Sequence, residues 1–164
     1  MKALISLILF STGIFGLVSL EASNVEVSMH TTVPLKQAIQ DAMKVADRNA
    51  NWEVMLGQGK SMSPYFNSGS VLLVDNAPFR KLKQGMMVVF KDAEGDWECH
   101  WLVRKEADKW VTQGVNNASV DPDLIGESNY RGVVFGVLNS AGAEPEGLAY
   151  AQSLGLESAI GKTR

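Results

Sequence analysis

The chain has 164 residues, carries a formal net charge of -3 and is 46% hydrophobic. That length suits one domain with a hydrophobic core and is short for two. The weakly acidic balance provides no basic field, so we expect no nucleic-acid partner.

The few cysteines and histidines narrow the chemistry further. Cys99 is the one cysteine, which excludes an internal disulfide, and no metal-ligand spacing surrounds it. His30 and His100 are the two histidines, which excludes a histidine-rich metal site. We therefore expect neither a metal nor a cofactor, and a catalytic histidine has to be one of these two.

An uncharged apolar stretch follows the first two residues. Lys2 precedes the segment from Ala3 to Leu20, and Glu21 is the first acidic residue. Export machinery recognises a short positive region followed by a long apolar region. A stretch of about 18 apolar residues also reaches the lower limit for spanning a bilayer. Residues 1–22 are thus predicted to be a cleaved signal peptide or a retained membrane anchor. The rest of the chain is expected outside the cytoplasm: membrane-anchored facing the extracytoplasmic side, or periplasmic or secreted if residues 1–22 are cleaved.

Residues 23–50 are predicted to form a polar spacer followed by one amphipathic helix. Pro34 suits the first turn of a helix. Apolar residues then recur at helical spacing from Leu35 to Ala46, with charged residues on the other side. We expect this helix to end near Asn49 and to pack against the domain or the bilayer surface.

From Trp52 onward, short apolar runs alternate with turns, which predicts a mostly β, barrel-like domain over residues 51–138. Residues 139–164 are rich in Ala, Gly, Ser and Glu and are predicted to be a variable C-terminal tail, either a surface helix or disordered, without chemistry. The predicted strands are 52–57, 70–75, 86–90, 97–104, 109–114 and 131–138.

The segment GQGKSMSPYFNSGSVLLVD, residues 57–75, has the features of a nucleophile turn. A nucleophilic serine must lie at a turn where backbone amides can also face the oxyanion. Gly57 and Gly59 permit a close backbone approach, and Pro64 fixes the chain just beyond. On local pattern alone, a plain surface turn between two strands is the alternative interpretation.

Three segments together resemble type I signal peptidases. GKSMSP, residues 59–64, resembles the G-x-S-M-x-P nucleophile box that these enzymes share with LexA-like self-cleaving repressors. ECHWLV, residues 98–103, falls where both families place the general base, a histidine in the archaeal and endoplasmic-reticulum signal peptidases. KWVTQGVNNASVDPD, residues 109–123, resembles the loop of that histidine branch. The resemblance runs from about Val54 to Val137.

The resemblance implies a LexA/signal peptidase-like fold and a serine endopeptidase with Ser61 as nucleophile and His100 as its base. Asp121 is the implied orienting acid, with Asp123 or a plain dyad as the alternatives. Ser63 also lies in the box, but at its variable position. The substrate would be a polypeptide that adds as an extended strand beside an edge strand formed by residues 52–59.

Four positions depart from the family pattern. Val115 replaces the aspartate of the loop, Trp101 the arginine after the histidine, and Met86 the aspartate before a strand. Gly59 stands where a small hydroxyl residue is common, which removes one oxyanion donor. Two other functions stay open: a catalytically degenerate binding protein of the same fold, and a LexA-like self-cleaving protein, for which a DNA-binding segment and a lysine base are expected instead.

Overall fold

The computed structural model describes residues 31–163, which form a mostly β fold with a closed six-stranded barrel and two short helices. The predicted export segment 1–22, most of the spacer and His30 lie outside the described residues. The elements are α1 Leu35–Ala46, β1 Trp52–Gly59, β2 Ser70–Asp75, β3 Met87–Lys91, β4 Trp97–Glu106, β5 Lys109–Gln113, β6 Tyr130–Leu138, α2 Pro145–Ser153 and β7 Ser158–Gly161.

Helix α1 begins one residue after Pro34, as the sequence predicts, and ends three residues before Asn49. Its buried residues recur at three- and four-residue spacing and pack on the β1–β2 face of the barrel. The packing surface is therefore the domain, one of the two surfaces expected from the sequence. The residues that form this contact are Leu35, Ala38, Ile39, Ala42, Leu56, Val71 and Leu73. Within residues 31–163, neither helix has the length and apolar character needed to cross a membrane.

The barrel closes because β3 pairs with strands on both sides, and because β7 fills the gap between β1 and β4. Going around the barrel, the strand order is β3-β6-β2-β1-β7-β4, and β4 returns to β3. Most neighbours are antiparallel, but β7 runs parallel to both β1 and β4, so the sheet is mixed. Strand β5 extends β4 outside this ring. The six predicted strands agree with the structure to within two residues at every end.

The structure corrects the expectations for residues 139–163 and for β1. Neither a disordered tail nor a surface helix alone describes this segment, since α2 packs on α1 and β7 is a barrel strand. Strand β1 is not an edge strand, because β7 pairs with it on the side away from β2. The domain boundary placed at residue 138 therefore divides a single packed unit. The sequence did not predict β7, because a strand of four residues, SAIG, is too short to show an alternation of apolar and polar residues, and its partner strands lie far away in the chain.

The barrel interior beneath the nucleophile turn is apolar. Met62 is fully buried in this cluster, beside Phe66 and Cys99. Fully buried side chains resist displacement because protein interiors are close-packed. The turn that carries Ser61 therefore packs against a rigid apolar cluster.

Candidate active site

Ser61 lies in the turn that follows β1, and Asn116 ties this turn to the loop after β5. Gly59 adopts a positive φ of 86°, which glycine tolerates without strain and which redirects the chain at the end of β1. The backbone nitrogen of Asn116 donates to the Ser61 carbonyl at 2.8 Å. Its side-chain Nδ2 donates to the carbonyls of Lys60 and Ser63 at 2.9 and 3.0 Å. One loop asparagine thus binds three backbone carbonyls of the turn.

His100 lies on β4, and its side chain contacts Ser61. Its Nε2 is 2.8 Å from Ser61 Oγ, which is hydrogen-bond distance. Both residues are fully buried. The ring of Phe90 on β3 lies beside the imidazole, with the ring centroids 6.4 Å apart. Two residues that are 39 positions apart in the chain therefore share one hydrogen bond in the interior.

Asp121 completes the chain of hydrogen bonds. Its Oδ2 lies 2.6 Å from His100 Nδ1, and its own backbone nitrogen donates to the Thr112 carbonyl at 2.8 Å. A carboxylate beside Nδ1 keeps the proton on that nitrogen, so Nε2 is left as an acceptor for the Ser61 hydroxyl. Of the two aspartates that the sequence offers, it is Asp121 whose carboxylate contacts the histidine.

Glu98 is a second carboxylate at the histidine, and it lies outside the residues expected to form the site. It is fully buried, and its Oε1 lies 3.5 Å from His100 Nδ1. The signal was available, since residues two apart on a strand share a face. Glu98 and Asp121 therefore both approach the same imidazole nitrogen, at 3.5 and 2.6 Å.

Glu98, His100 and Asp121 offer three potential metal-ligand atoms within 4.8 Å of one another. Their spacing, however, fits proton sharing better than metal binding. Zinc holds nitrogen and oxygen ligands at about 2.0–2.2 Å, so two ligand atoms on one ion lie more than 3 Å apart. The 2.6 Å between Nδ1 and Oδ2 is shorter than that. The contact between His100 and Asp121 is therefore a hydrogen bond in this arrangement.

Two glycines allow the backbone to approach the reacting atoms closely. A methyl group built on Gly114 would lie 2.8 Å from Ser61 Cβ and 2.9 Å from His100 Nε2. A methyl group built on Gly161 would lie 2.5 Å from Ser61 Oγ. Real Cβ atoms essentially never come this close to another heavy atom. Side chains larger than hydrogen are thus excluded on both flanks of the serine.

The departures from the signal peptidase pattern have local explanations at three positions. A Cβ atom on residue 59 would lie 2.2 Å from the Gly161 carbonyl oxygen. Strand β7 therefore excludes a hydroxyl residue at this position. Trp101 packs edge-to-face on Tyr65 of the nucleophile turn, with centroids 5.2 Å apart. Val115 is 41% exposed, and Asp121 supplies the carboxylate to His100 instead. Nothing in the structure explains Met86.

Comparison of the chain with protein-family profiles, curated proteins and solved structures finds no match. The resemblance to signal peptidases consequently rests on the motifs quoted above. The geometry brings Ser61, His100 and Asp121 together, and their catalytic roles remain predictions.

Proposed function

We propose that this protein is a serine endopeptidase that resembles type I signal peptidases and acts on exported or membrane-associated polypeptides. The observation that carries the proposal is the continuous chain from Ser61 Oγ through His100 to Asp121, with contacts of 2.8 and 2.6 Å. Three polar side chains buried in one line are costly unless they satisfy each other. This order, hydroxyl, imidazole and carboxylate, is the one that serine nucleophiles use.

In the proposed mechanism, Ser61 Oγ attacks the scissile carbonyl while its proton moves to His100 Nε2. Asp121 holds the imidazole orientation and stabilises the imidazolium. His100 then donates the proton to the leaving amine, and water hydrolyses the acyl-enzyme by the same steps in reverse order. General acid–base catalysis of this kind contributes about 10²- to 10⁴-fold to the rate.

The test is cleavage of a preprotein carrying a signal peptide, in detergent, by the full chain. Ser61→Ala and His100→Ala are each expected to lower the rate by about 10⁴-fold or more. Ser63→Ala is the matched control, because Ser63 lies in the same turn and supplies a backbone carbonyl rather than the nucleophile. The proposal fails if Ser63→Ala abolishes cleavage while Ser61→Ala retains it, or if the folded wild type cleaves no preprotein.

A second function, a binding protein without catalysis, is favoured by the complete burial of Ser61 and His100. A serine-directed fluorophosphonate distinguishes the two functions after the barrel is opened by deletion of residues 158–164. Labelling that depends on His100 supports the protease. Absence of labelling in a deleted chain that still binds peptides supports the binding protein.

A further inference from the structure

Strand β7 lies in the position that a bound peptide takes when it adds to a sheet. It runs parallel to β1 and β4, the strands that lead to Ser61 and carry His100, with register partners Gly59↔Gly161 and Glu98↔Ile160. Strand addition supplies main-chain hydrogen bonds, and alternate side chains enter pockets. The chain thus fills, with its own residues 158–161, the slot between its proposed nucleophile and base strands.

The register places one residue of β7 at the nucleophile. A methyl group on Gly161 would lie 2.5 Å from Ser61 Oγ and 3.5 Å from the Ser61 backbone nitrogen. The Gly161 carbonyl oxygen lies over Gly59, at the turn where the oxyanion is expected to form. Gly161 therefore occupies the place of the residue that precedes a scissile bond.

The side chains of β7 suit this placement. Ala159 and Gly161 share a face of the strand and are buried, whereas Ser158 and Ile160 are partly exposed. Ala159 is fully buried in the cluster with Met62. The slot hence accepts glycine at the first position before the bond that follows Gly161, and alanine at the third.

Lys162 anchors the other side of that bond. Its carbonyl accepts a hydrogen bond from Asn117 Nδ2 at 3.0 Å. Its ammonium group donates to the buried carboxylate of Asp92 and lies 3.2 and 3.4 Å from Asp96 and Glu94. Main chain and side chain are both held, so the peptide bond between Gly161 and Lys162 is fixed beside Ser61.

We propose that the chain is its own substrate and that Ser61 cleaves the bond between Gly161 and Lys162; this inference rests on the proposed protease function. Ser61 Oγ bonds to the Gly161 carbonyl carbon while its proton moves to His100 Nε2. The C–N bond to Lys162 breaks, and the proton passes to the leaving nitrogen. Water then hydrolyses the ester, which leaves a carboxylate on Gly161 and restores the Ser61 hydroxyl.

Intramolecular attachment favours this substrate over others. A tethered segment has an effective concentration in the millimolar range. An external polypeptide must displace β7 before it reaches Ser61, so self-cleavage is expected to precede cleavage in trans.

The experiment follows the intact mass of the purified full chain over time, with folding verified by circular dichroism. The wild type and Ser63→Ala are expected to lose the segment beginning at Lys162, and Ser61→Ala is expected to stay intact. Lys162→Ala is expected to slow the loss about tenfold, because it removes a charged hydrogen bond that positions the bond. Lys105→Ala, an exposed lysine of β4, is the matched control and is expected to leave the rate unchanged.

Parallel incubation with a preprotein separates the two proposals. Self-cleavage that needs Ser61 supports the inference. A wild type that cleaves the preprotein but keeps its own Gly161–Lys162 bond overturns self-cleavage and leaves the protease standing. A folded wild type that cleaves neither overturns both.

Discussion

Replacing Gly114 by alanine tests whether the hydrogen bond between Ser61 and His100 depends on a glycine beside it. The added methyl group would lie 2.8 Å from Ser61 Cβ and 2.9 Å from both His100 Nε2 and Asn117 Nδ2. Ordinary van der Waals contact begins at 3.4 Å, so these groups must separate by about 0.5 Å. Overpacking of a close-packed interior costs about 1–3 kcal/mol.

The glycine-to-alanine change also restricts the unfolded chain, which stabilises the fold by about 0.4–1 kcal/mol. Gly114→Ala is therefore expected to lower the free energy of unfolding by about 1–2 kcal/mol. A displacement of this size also lowers the cleavage rate about 10- to 100-fold, because catalytic groups tolerate little misplacement. Gly126→Ala is the matched control, since its methyl group meets only the Lys109 side chain, at 3.8 Å or more.

Urea unfolding of both variants measures the stability difference. Nitrogen NMR of the imidazole, in a chain that also carries His30→Gln, reports the His100 hydrogen bonds without requiring catalysis. Equal unfolding free energies for Gly114→Ala and Gly126→Ala, together with an unchanged His100 spectrum, would refute the reasoning.

Three further predictions concern the acids and the thiol near the site. Asp121→Asn is expected to slow cleavage about 10⁴-fold, because it removes the carboxylate that lies 2.6 Å from His100. Glu98→Gln is expected to slow cleavage much less, since Glu98 lies 3.5 Å away; equal losses in kcat contradict the assignment of Asp121 as the orienting acid. Burial, followed by the charge of Glu98, raises the pKa of the Cys99 thiol, so a thiol reagent is expected to label the chain only after unfolding; rapid native labelling contradicts this. Burial alone would raise the pKa of the Asp92 carboxyl, but its hydrogen bonds, led by the one from Lys162, lower that pKa below 3.8. The ionised carboxylate therefore stabilises the fold above pH 3.8, and this stabilisation is lost as the pH falls through the lowered pKa. Urea unfolding of the wild type and Asp92→Asn should therefore converge at acid pH, and a constant difference would speak against it.

Local pattern was sufficient for most of the secondary structure. Helix α1 was predicted from its helical spacing of apolar residues, and strands β1 to β6 from short apolar runs bounded by turn residues. Turn residues such as Gly69 and Gly95, both with positive φ, marked where strands begin or reverse. The three candidate site residues were named from motifs, since Ser61, His100 and Asp121 each lie in a segment with recognisable neighbours.

Only the tertiary structure decided which groups meet. Glu98 reaches His100 because the two residues lie on one buried face of β4, opposite the face that carries Cys99. Asp121 rather than Asp123 lies at Nδ1 because its backbone nitrogen bonds to Thr112 of β5. The parallel placement of β7 depends on β1 and β4, about 100 and 60 residues away, and four residues have too little pattern to announce it. The sequence by itself determined the local elements and the chemistry on offer. The folded barrel determined that the chain's own Gly161 lies against Ser61, because long-range pairing is a property of the whole sheet and of no single segment.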